Sequence, residues 1–260
     1  MKSDLSDKVA LVTGSSRGIG LAISDRFAAN GATVVYSDVD TEQLDKTIAE
    51  REGAAGYELD VTNRGQVKQV VGEIAKRFGR IDILVNNAGI NTMVHRVTVD
   101  KFPHEEWDRI VSVDLNGVYN LSHEVTQVMR QQGEGRVINI TSIAGLVPLR
   151  LQCAFTAAKA GVVNFTKAMA IELGKDGILV NAIAPGSTLT DGTKKLFYSE
   201  EGQFHDNMQR MLNSVPLGRP GSTDEIAVAA LFLADPDNSY MNGHILVVDG
   251  GWTAGYHRDF

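Results

Sequence analysis

Seven short strand-like runs, six of them rich in valine and isoleucine, recur along the chain, with segments of helical character between them. Runs of this kind favour β-strands, and their alternation with helices requires crossover connections that leave the strands parallel. We therefore predict an α/β fold in which a doubly wound, Rossmann-like parallel sheet carries helices on both faces. The predicted strands are 9–13, 33–37, 56–60, 81–86, 136–142, 178–184 and 244–249.

Local signals for helix faces and helix ends agree with this alternation. Residues 67–78 place valine, isoleucine and phenylalanine on one helical stripe, which is typical of a helix packed on a sheet. Ser222 and Glu225 predict a capping box at the start of the last helix. Because 260 residues without a repeat or linker suit one core, we predict a single domain, residues 1–260.

Two segments depart from the regular pattern. Residues 187–216 are polar and too poor in apolar side chains to seed a core, so we interpret them as a mobile lid with short helical pieces. The C-terminal tail, 252–260, ends in aromatic residues and a cation, which is unusual for a frayed terminus.

Charge and cysteine content exclude several functional classes. The net charge of -7, without a basic run, argues against a nucleic-acid partner. Cys153 is the single cysteine, which predicts a reducing, cytoplasmic setting, and the six histidines show no metal-ligand spacing. No run of apolar residues is long enough to cross a membrane, and the first residues show no export signal, so no membrane partner is expected.

A glycine-rich turn follows the first predicted strand and opens a helix. Glycines at such a turn let the backbone approach a pyrophosphate, which then sits at the helix N-terminus where amides and the helix dipole favour anions. The turn could alternatively be purely structural, but its position between strand and helix favours a dinucleotide site. The candidate residues are Gly14, Ser16, Arg17, Gly18, Ile19 and Gly20.

An acidic residue ends the second predicted strand. A carboxylate at Asp38, next to Val39, would accept hydrogen bonds from the adenosine ribose and repel a 2′-phosphate. Arg17 is the opposing signal, since its cation could face that phosphate. We weight Asp38 more, because repulsion excludes NADP whereas an arginine excludes nothing, and we predict NAD as the cofactor.

Together with Asn86-Asn87-Ala88-Gly89 after the fourth strand, these residues resemble the compact type of the short-chain dehydrogenase/reductase family. The resemblance runs from about residue 6 to 252, through the glycine turn, the NNAG turn, a serine ending strand five, a YxxxK helix motif and a Pro-Gly turn. It implies the strand order 3-2-1-4-5-6-7 and alcohol–carbonyl oxidoreduction with a nicotinamide cofactor. All of these motifs except the tyrosine are intact.

The resemblance also implies roles for individual residues. Ser142 matches the catalytic serine and Lys159 the catalytic lysine, while Phe155 occupies the position of the catalytic tyrosine. The structural alternatives are a strand-end hydroxyl, a solvated helix cation and an apolar core residue. The positions implied to line the cofactor are Asp60 and Val61 at the adenine, Asn87, Ala88 and Gly89 at the adjoining ribose, and Pro185, Gly186, Thr188 and Thr190 at the nicotinamide.

Phe155 and Asp114 are the two departures from the family pattern. Residues 155 and 159 share a helix face, and in the family the lysine lowers the phenol's pKa while the hydroxyl moves a proton. Phenylalanine keeps the ring but has no proton to transfer, so we interpret Phe155 as an engineered substitution that preserves binding, with a naturally inactive member as the alternative. Asp114 stands where an asparagine often holds a water of the proton relay, and its backbone carbonyl could serve that water.

Substrate walls in this family come from the segment after NNAG, the loop after the serine, the residue three before the tyrosine, and the lid. The proportion of polar residues among these wall positions favours a small alcohol or ketone such as a polyol, sugar or sugar acid. Arg96 and Arg150 could equally be solvated. The substrate candidates are Asn91, His95, Ala144, Arg150, Gln152 and, from a neighbouring subunit of a homotetramer, Arg258.

Two other functional classes stay open. A reductase of carrier-bound 3-oxoacyl groups would need a basic docking face, and Glu124 and Glu172 argue mildly against one. A nonenzymatic NAD-binding sensor would explain Phe155, but not the retained Ser142 and Lys159.

Overall fold

A parallel sheet of seven strands forms the centre of the computed structural model, which describes residues 2–92, 95–190 and 206–255. The sheet order is β3-β2-β1-β4-β5-β6-β9. Its strands are β1 (Val9–Thr13), β2 (Thr33–Asp38), β3 (Ala55–Glu58), β4 (Ile83–Asn86), β5 (Gly135–Ile140), β6 (Ile178–Pro185) and β9 (Ile245–Val248). The predicted order is confirmed, with a separate pair, β7 (Thr188–Leu189) and β8 (Gly221–Ser222), before the last strand.

Eight α-helices connect these strands within the described ranges. They are α1 (Gly18–Ala28), α2 (Thr41–Ala49), α3 (Arg64–Phe78), α4 (His104–Val111), α5 (Gly117–Gln132), α6 (Cys153–Leu173), α7 (Asp206–Leu212) and α8 (Thr223–Ala234). A π-helical segment, Ser112–Asn116, joins α4 to α5. Among the described residues, no helix combines the length and apolar character needed to cross a membrane.

The two faces of the sheet bury two separate apolar cores. Along β1, Ala10 and Val12 belong to the core with α1 and α8, whereas Val9 and Leu11 belong to the core with α3, α5 and α6. Successive strand residues point to opposite faces, so a strand buried on both sides is an almost continuous apolar run. This explains why the strands could be located from the sequence.

The last helix begins at the predicted capping box. The Ser222 hydroxyl accepts from the Glu225 amide, and the Glu225 carboxylate accepts from the Ser222 amide at 2.8 Å. The Arg219 guanidinium, followed by the Ser222 amide, lowers the pKa of Glu225 to about 2, so this cap stays ionised at neutral pH. Because α8 packs on α1, the cap helps to orient the helix that begins at the glycine-rich turn.

The chain direction across the sheet changes between β1 and β4. From β1 the chain continues outward to β2 and β3, and then returns to β4 on the other side of β1. The loops after β1 and β4 therefore separate and leave a crevice at the carboxyl ends of the strands, where doubly wound sheets bind their ligands.

The predicted lid segment is only partly described. Its short helical piece is α7, and residues 191–205 lie outside the described residues. The expectation that the segment is too polar to seed a core is wrong for its end, because Leu212 and Val215 are buried against the partly buried Trp252. Sequence reasoning missed this cluster because the aromatic partner comes from the C-terminal turn, distant along the chain.

Candidate active site

Glycines shape the loop after β1 for close backbone contact. Gly14 has a φ of +62°, and a Cβ there would lie 2.9 Å from the Ala88 Cα. A Cβ on Gly20 would lie 2.5 Å from the side-chain amide nitrogen of Asn87. Side chains at these two positions would fill the space between the loops after β1 and β4, so the loops need glycine there.

A hydrogen-bonded junction holds these two loops together. The Thr13 hydroxyl accepts from the backbone amides of Asn87 and Ala88, both at 3.0 Å. In return, the Asn87 side chain donates to the carbonyls of Thr13 and Gly14, both at 2.9 Å. The NNAG turn is thereby fastened to the glycine-rich turn before any ligand binds.

The N-terminus of α1 is arranged for an anion. The N-cap residue, Arg17, makes no capping hydrogen bond with its side chain, and the first turn carries no acidic residue. Helix N-terminal amides without a side-chain acceptor, together with the helix dipole, favour a negatively charged group. The cradle formed by Gly14, Gly18 and Gly20 therefore fits a pyrophosphate.

Asp38 and Arg17 have separate partners beside this turn. One Asp38 oxygen accepts from the Ser16 amide at 3.1 Å and the Ser16 hydroxyl at 2.7 Å, and the other accepts from the Asp40 amide at 3.1 Å. The Arg17 guanidinium forms an ion pair with Asp40. Asp40 was not among the sequence candidates, although an acid two residues after Asp38 could have indicated it.

The adenine-side candidates lie at the carboxyl ends of β2 and β3. Asp60 accepts from the Thr62 amide at 2.9 Å and the Thr62 hydroxyl at 2.7 Å, which fixes its carboxylate. Val61 is buried, and its carbonyl accepts from the Asn120 side chain at 2.9 Å. Val39 is 65% exposed, so its apolar surface is available to a ligand.

A buried ion pair lies at the centre of the site. The Lys159 ammonium is 3.1 Å from one Asp114 oxygen, with the two side chains 6% and 0% exposed. The second Asp114 oxygen accepts from the Ile90 amide at 2.8 Å, and Lys159 also donates to the Ile140 carbonyl at 3.3 Å. The Asp114 side chain thus contacts Lys159 directly, whereas the sequence analysis gave Asp114 a role only through its backbone carbonyl and a water.

Phe155 lies beside this ion pair, and Ser142 comes two residues after Ile140, whose carbonyl accepts from Lys159. The Lys159 nitrogen lies 5.7 Å from the centroid of the Phe155 ring, and the ring packs beside Ile110 and Ala158 in a small apolar cluster. The Ser142 hydroxyl accepts from the Ala144 amide at 3.1 Å, which leaves its own proton free to donate. The structure therefore brings Ser142, Phe155 and Lys159 to one edge of the sheet.

The segment after β6 closes the opposite side of the crevice. A Cβ on Gly186 would lie 2.8 Å from the Asp249 Cα, so the turn after Pro185 packs tightly on the C-terminal turn. Thr188 donates to the Gly186 carbonyl at 3.2 Å. A Cβ on Gly18 would be 3.7 Å from Thr190, which brings this segment to the glycine-rich turn.

The substrate candidates do not form one wall. His95 pairs with Glu106, a buried carboxylate that the sequence analysis missed because nothing local marks it as buried. Ala144 is buried beneath its turn, Gln152 is buried at the start of α6, and Asn91, Arg96 and Arg150 are exposed. Arg258 lies outside the described residues.

An open cavity of about 510 Å³ lies against the turn that follows Ser142. Residues of that turn, the end of α7 and the C-terminal turn surround it. The lining residues are Ile143, Val147, Leu149, Asn213, Ser214, Trp252, Thr253 and Gly255. Ile143 and Val147, not Ala144, are therefore the neighbours of Ser142 that face this space.

The fold and site define a dinucleotide-binding oxidoreductase, and similarity to known proteins agrees. A family profile described as "Enoyl-(Acyl carrier protein) reductase" matches residues 14–253. The 3-oxoacyl-[acyl-carrier-protein] reductase of Thermotoga maritima is 40% identical over 251 residues, covering 95% of this chain and 98% of that protein. The corresponding Escherichia coli reductase is 39% identical, covering 94% and 96%.

Solved structures of similar proteins extend this comparison. A gluconate 5-dehydrogenase from Burkholderia cenocepacia, in complex with NADP and tartrate, aligns with a TM-score of 0.88 at 34% identity, covering 97% of both chains. Levodione reductase aligns with a TM-score of 0.89 at 35% identity, covering 96% of this chain and 99% of its own. The chain belongs to the short-chain dehydrogenase/reductase family, and its fold binds a nicotinamide cofactor.

Replacing Asp114 by alanine should destabilise the protein strongly. The change leaves the Lys159 ammonium buried without its partner and removes the acceptor of the Ile90 amide, so the free energy of unfolding should fall by about 3–5 kcal/mol. Asp114→Asn keeps an oxygen for Ile90 and should cost less. Urea denaturation without cofactor measures both variants.

The exposed Glu42–Lys46 ion pair supplies the control. Glu42→Ala should change the free energy of unfolding by no more than about 0.5 kcal/mol. If Asp114→Ala lowered the free energy of unfolding by as little as this control does, the buried pair would not be holding together the segments that carry Lys159, Asp114, Ile90 and Ile140.

Proposed function

We propose that this protein is an NAD(H)-dependent oxidoreductase that interconverts a secondary alcohol and a ketone on a small polar substrate. The observation that carries the proposal is that the Lys159 ammonium, paired with Asp114, reaches the Ile140 carbonyl at the end of β5, and that the turn after Ser142 lines an open cavity. The polar lining residues Asn213, Ser214 and Thr253 support a hydroxylated substrate such as a polyol, sugar or sugar acid.

The proposed chemistry divides among a few groups. When bound, the nicotinamide ring would accept or supply the hydride. Ser142 would donate a hydrogen bond to the substrate oxygen, since its hydroxyl hydrogen is not used by the Ala144 contact. Lys159 would place its positive charge beside residue 155 and hold the adjoining ribose, with Asp114 as its counter-ion.

Phe155 cannot supply the proton transfer that the proposed reaction needs. In the proposed site its ring takes the place of the family's tyrosine, whose hydroxyl would exchange a proton with the substrate oxygen, and phenylalanine has no such proton. We propose that Phe155 is a tyrosine-to-phenylalanine substitution that leaves binding intact and impairs turnover. The retained Ser142 and Lys159 favour this interpretation over a nonenzymatic sensor.

NAD is the proposed cofactor because of how the two charged residues beside β2 are engaged. Asp38 is fixed at the end of the strand by Ser16 and Asp40, where a 2′-phosphate would meet its charge. Arg17, the cation that could have compensated, is paired with Asp40. The NADP in the similar gluconate 5-dehydrogenase structure makes this preference one to test directly.

Reduction of carrier-bound 3-oxoacyl groups is the second candidate. The curated relatives from Thermotoga maritima and Escherichia coli carry that name. The apolar lining residues Ile143, Val147 and Leu149 could also contact an acyl chain. Oxoacyl thioesters therefore belong among the substrates tested.

Phe155→Tyr should restore turnover. It supplies the missing general acid–base group, whose contribution is typically about 10²- to 10⁴-fold, so kcat/KM should rise by that factor while the NAD dissociation constant stays within about twofold. The assay uses polyols, sugar acids and oxoacyl thioesters, and NAD binding is followed by fluorescence. Phe165→Tyr adds a hydroxyl elsewhere on α6 and should give no gain. An unchanged rate for Phe155→Tyr on every substrate would contradict the proposal.

Asp38→Ala should relax the cofactor preference. Without the carboxylate, NADP should bind at least about tenfold more tightly because the repulsion of its phosphate is removed. NAD should bind about tenfold more weakly because its ribose loses a charged acceptor. Dissociation constants for both dinucleotides give the result, and Asp45→Ala on α2 is the control for a change of net charge. Tighter binding of NADP than NAD to the unmodified protein would refute the assignment.

We further propose a cytoplasmic homotetramer. Exposed apolar side chains include Val228 and Phe232 on α8 with Val247 on the edge strand, and also Tyr119 on α5 and Ile171 on α6. We assign these two groups to two subunit interfaces. Two self-complementary faces generate a tetramer with crossed twofold axes. The single cysteine suits a reducing compartment.

Sedimentation should give a mass four times the 28.1 kDa of the chain. Phe232→Glu and Ile171→Glu should each reduce the assembly to a dimer, because each charge disrupts one face. A monomeric unmodified protein would rule out the assembly.

A further inference from the structure

The cavity beside Ser142 combines a flat aromatic side chain with polar groups. Trp252 lines one side, and Asn213, Ser214 and Thr253 contribute polar side chains. Ile143, at the start of the turn capped by the Ser142 hydroxyl, lines the cavity next to the proposed reacting position.

Packing against an apolar cluster fixes the position of the Trp252 side chain. It packs against Leu212 and Val215, and partly buried Leu189 and Met211 join the same cluster. Leu189 lies between Thr188 and Thr190, the residues proposed to line the nicotinamide. The aromatic wall is therefore tied to the cofactor side of the site.

The C-terminal turn fixes the backbone on either side of the tryptophan. Asp249 accepts from the Gly251 amide at 2.8 Å and from the amide and hydroxyl of Thr253, both at 2.7 Å. Gly250 and Gly251 have φ values of +68° and +88°, which suit glycine. Because the turn is fastened at both ends, the indole is presented to the cavity at little further entropic cost.

We propose that Trp252 is a stacking platform that selects a ring-shaped hydroxylated substrate over an open-chain one. The inference rests on the proposed function and names the substrate class of that same cavity. A cyclic polyol or sugar presents C–H groups on a flat face that can cover an aromatic ring, while its hydroxyls point outward. Asn213, Ser214 and Thr253 supply partners for those hydroxyls.

An open-chain polyol fits this arrangement less well. It presents no persistent flat face to the indole, and holding it in one conformation costs rotational entropy that a ring has already lost. The cavity should therefore discriminate between two ligands that carry the same number of carbons and hydroxyls, such as inositol and glucitol.

Two tryptophans in the chain make the test direct. Trp107→Phe, a change on α4, leaves Trp252 as the sole tryptophan and thus the reporter of cavity occupancy. The NAD-loaded Phe155 protein is titrated with inositols and methyl pyranosides and, in parallel, with hexitols and aldonates. Rings should give a saturable change in Trp252 fluorescence, with dissociation constants at least about tenfold lower than those of the open chains.

Trp252→Leu, studied by calorimetry, should raise the dissociation constant of the best ring by about three- to tenfold and leave the open-chain values unchanged. Trp252→Phe keeps an aromatic platform and should retain most of the ring affinity, which guards against a folding defect in the leucine variant. Equal binding of rings by the leucine and phenylalanine variants, or tighter binding of open chains by the parent protein, would overturn the proposal.

A different experimental result would refute the proposed oxidoreductase function than would refute the ring selectivity. If NAD does not bind, or if Phe155→Tyr turns over no alcohol or ketone, the oxidoreductase assignment falls whatever Trp252 reports. If Phe155→Tyr oxidises hexitols but not rings, the oxidoreductase assignment stands and the ring selectivity falls.

Discussion

The ion pair between Lys159 and Asp114 is the interaction on which the arrangement of the site depends. It joins α6 to the π-helical segment, and through Ile90 and Ile140 it also ties in the chain after β4 and the end of β5. Neither charge could stay buried alone, because removing an ion from water costs several kcal/mol unless a partner compensates. Lys159 is thus held beside residue 155 before a cofactor enters.

Around this pair lie the parts of the framework that the proposed function assigns to binding. The glycine-rich turn, the Thr13–Asn87 junction and the cavity beside Ser142 are structural features that do not involve a hydroxyl at position 155. A phenylalanine fills the same apolar surroundings as a tyrosine ring, so the packing with Ile110 and Ala158 needs no adjustment. Under the proposed function, binding and orientation would be properties of this whole framework, whereas turnover would depend on a hydroxyl that Phe155 lacks.

Predictions that rest on local or periodic signals agree with the structure. The strands of the sheet, the stripe Val67, Val70, Val71 and Ile74 on α3, and the Ser222–Glu225 capping box each depend on neighbours in sequence. The partners that were missed all depend on contacts between distant segments. Asp40 pairs with Arg17, Glu106 with His95, and Trp252 with Leu212, and no spacing rule connects these residues.

The sequence by itself determined the α/β class, the glycine-rich turn at a helix N-terminus and the order of the family motifs, because strand alternation, glycine conformation and helix periodicity are local physical constraints. Only the tertiary structure decided that the Asp114 carboxylate pairs with Lys159, and that Trp252 lines the cavity beside the turn after Ser142. Both outcomes depend on burial, because segments distant in sequence decide which charges lose their contact with water and which aromatic side chains keep it.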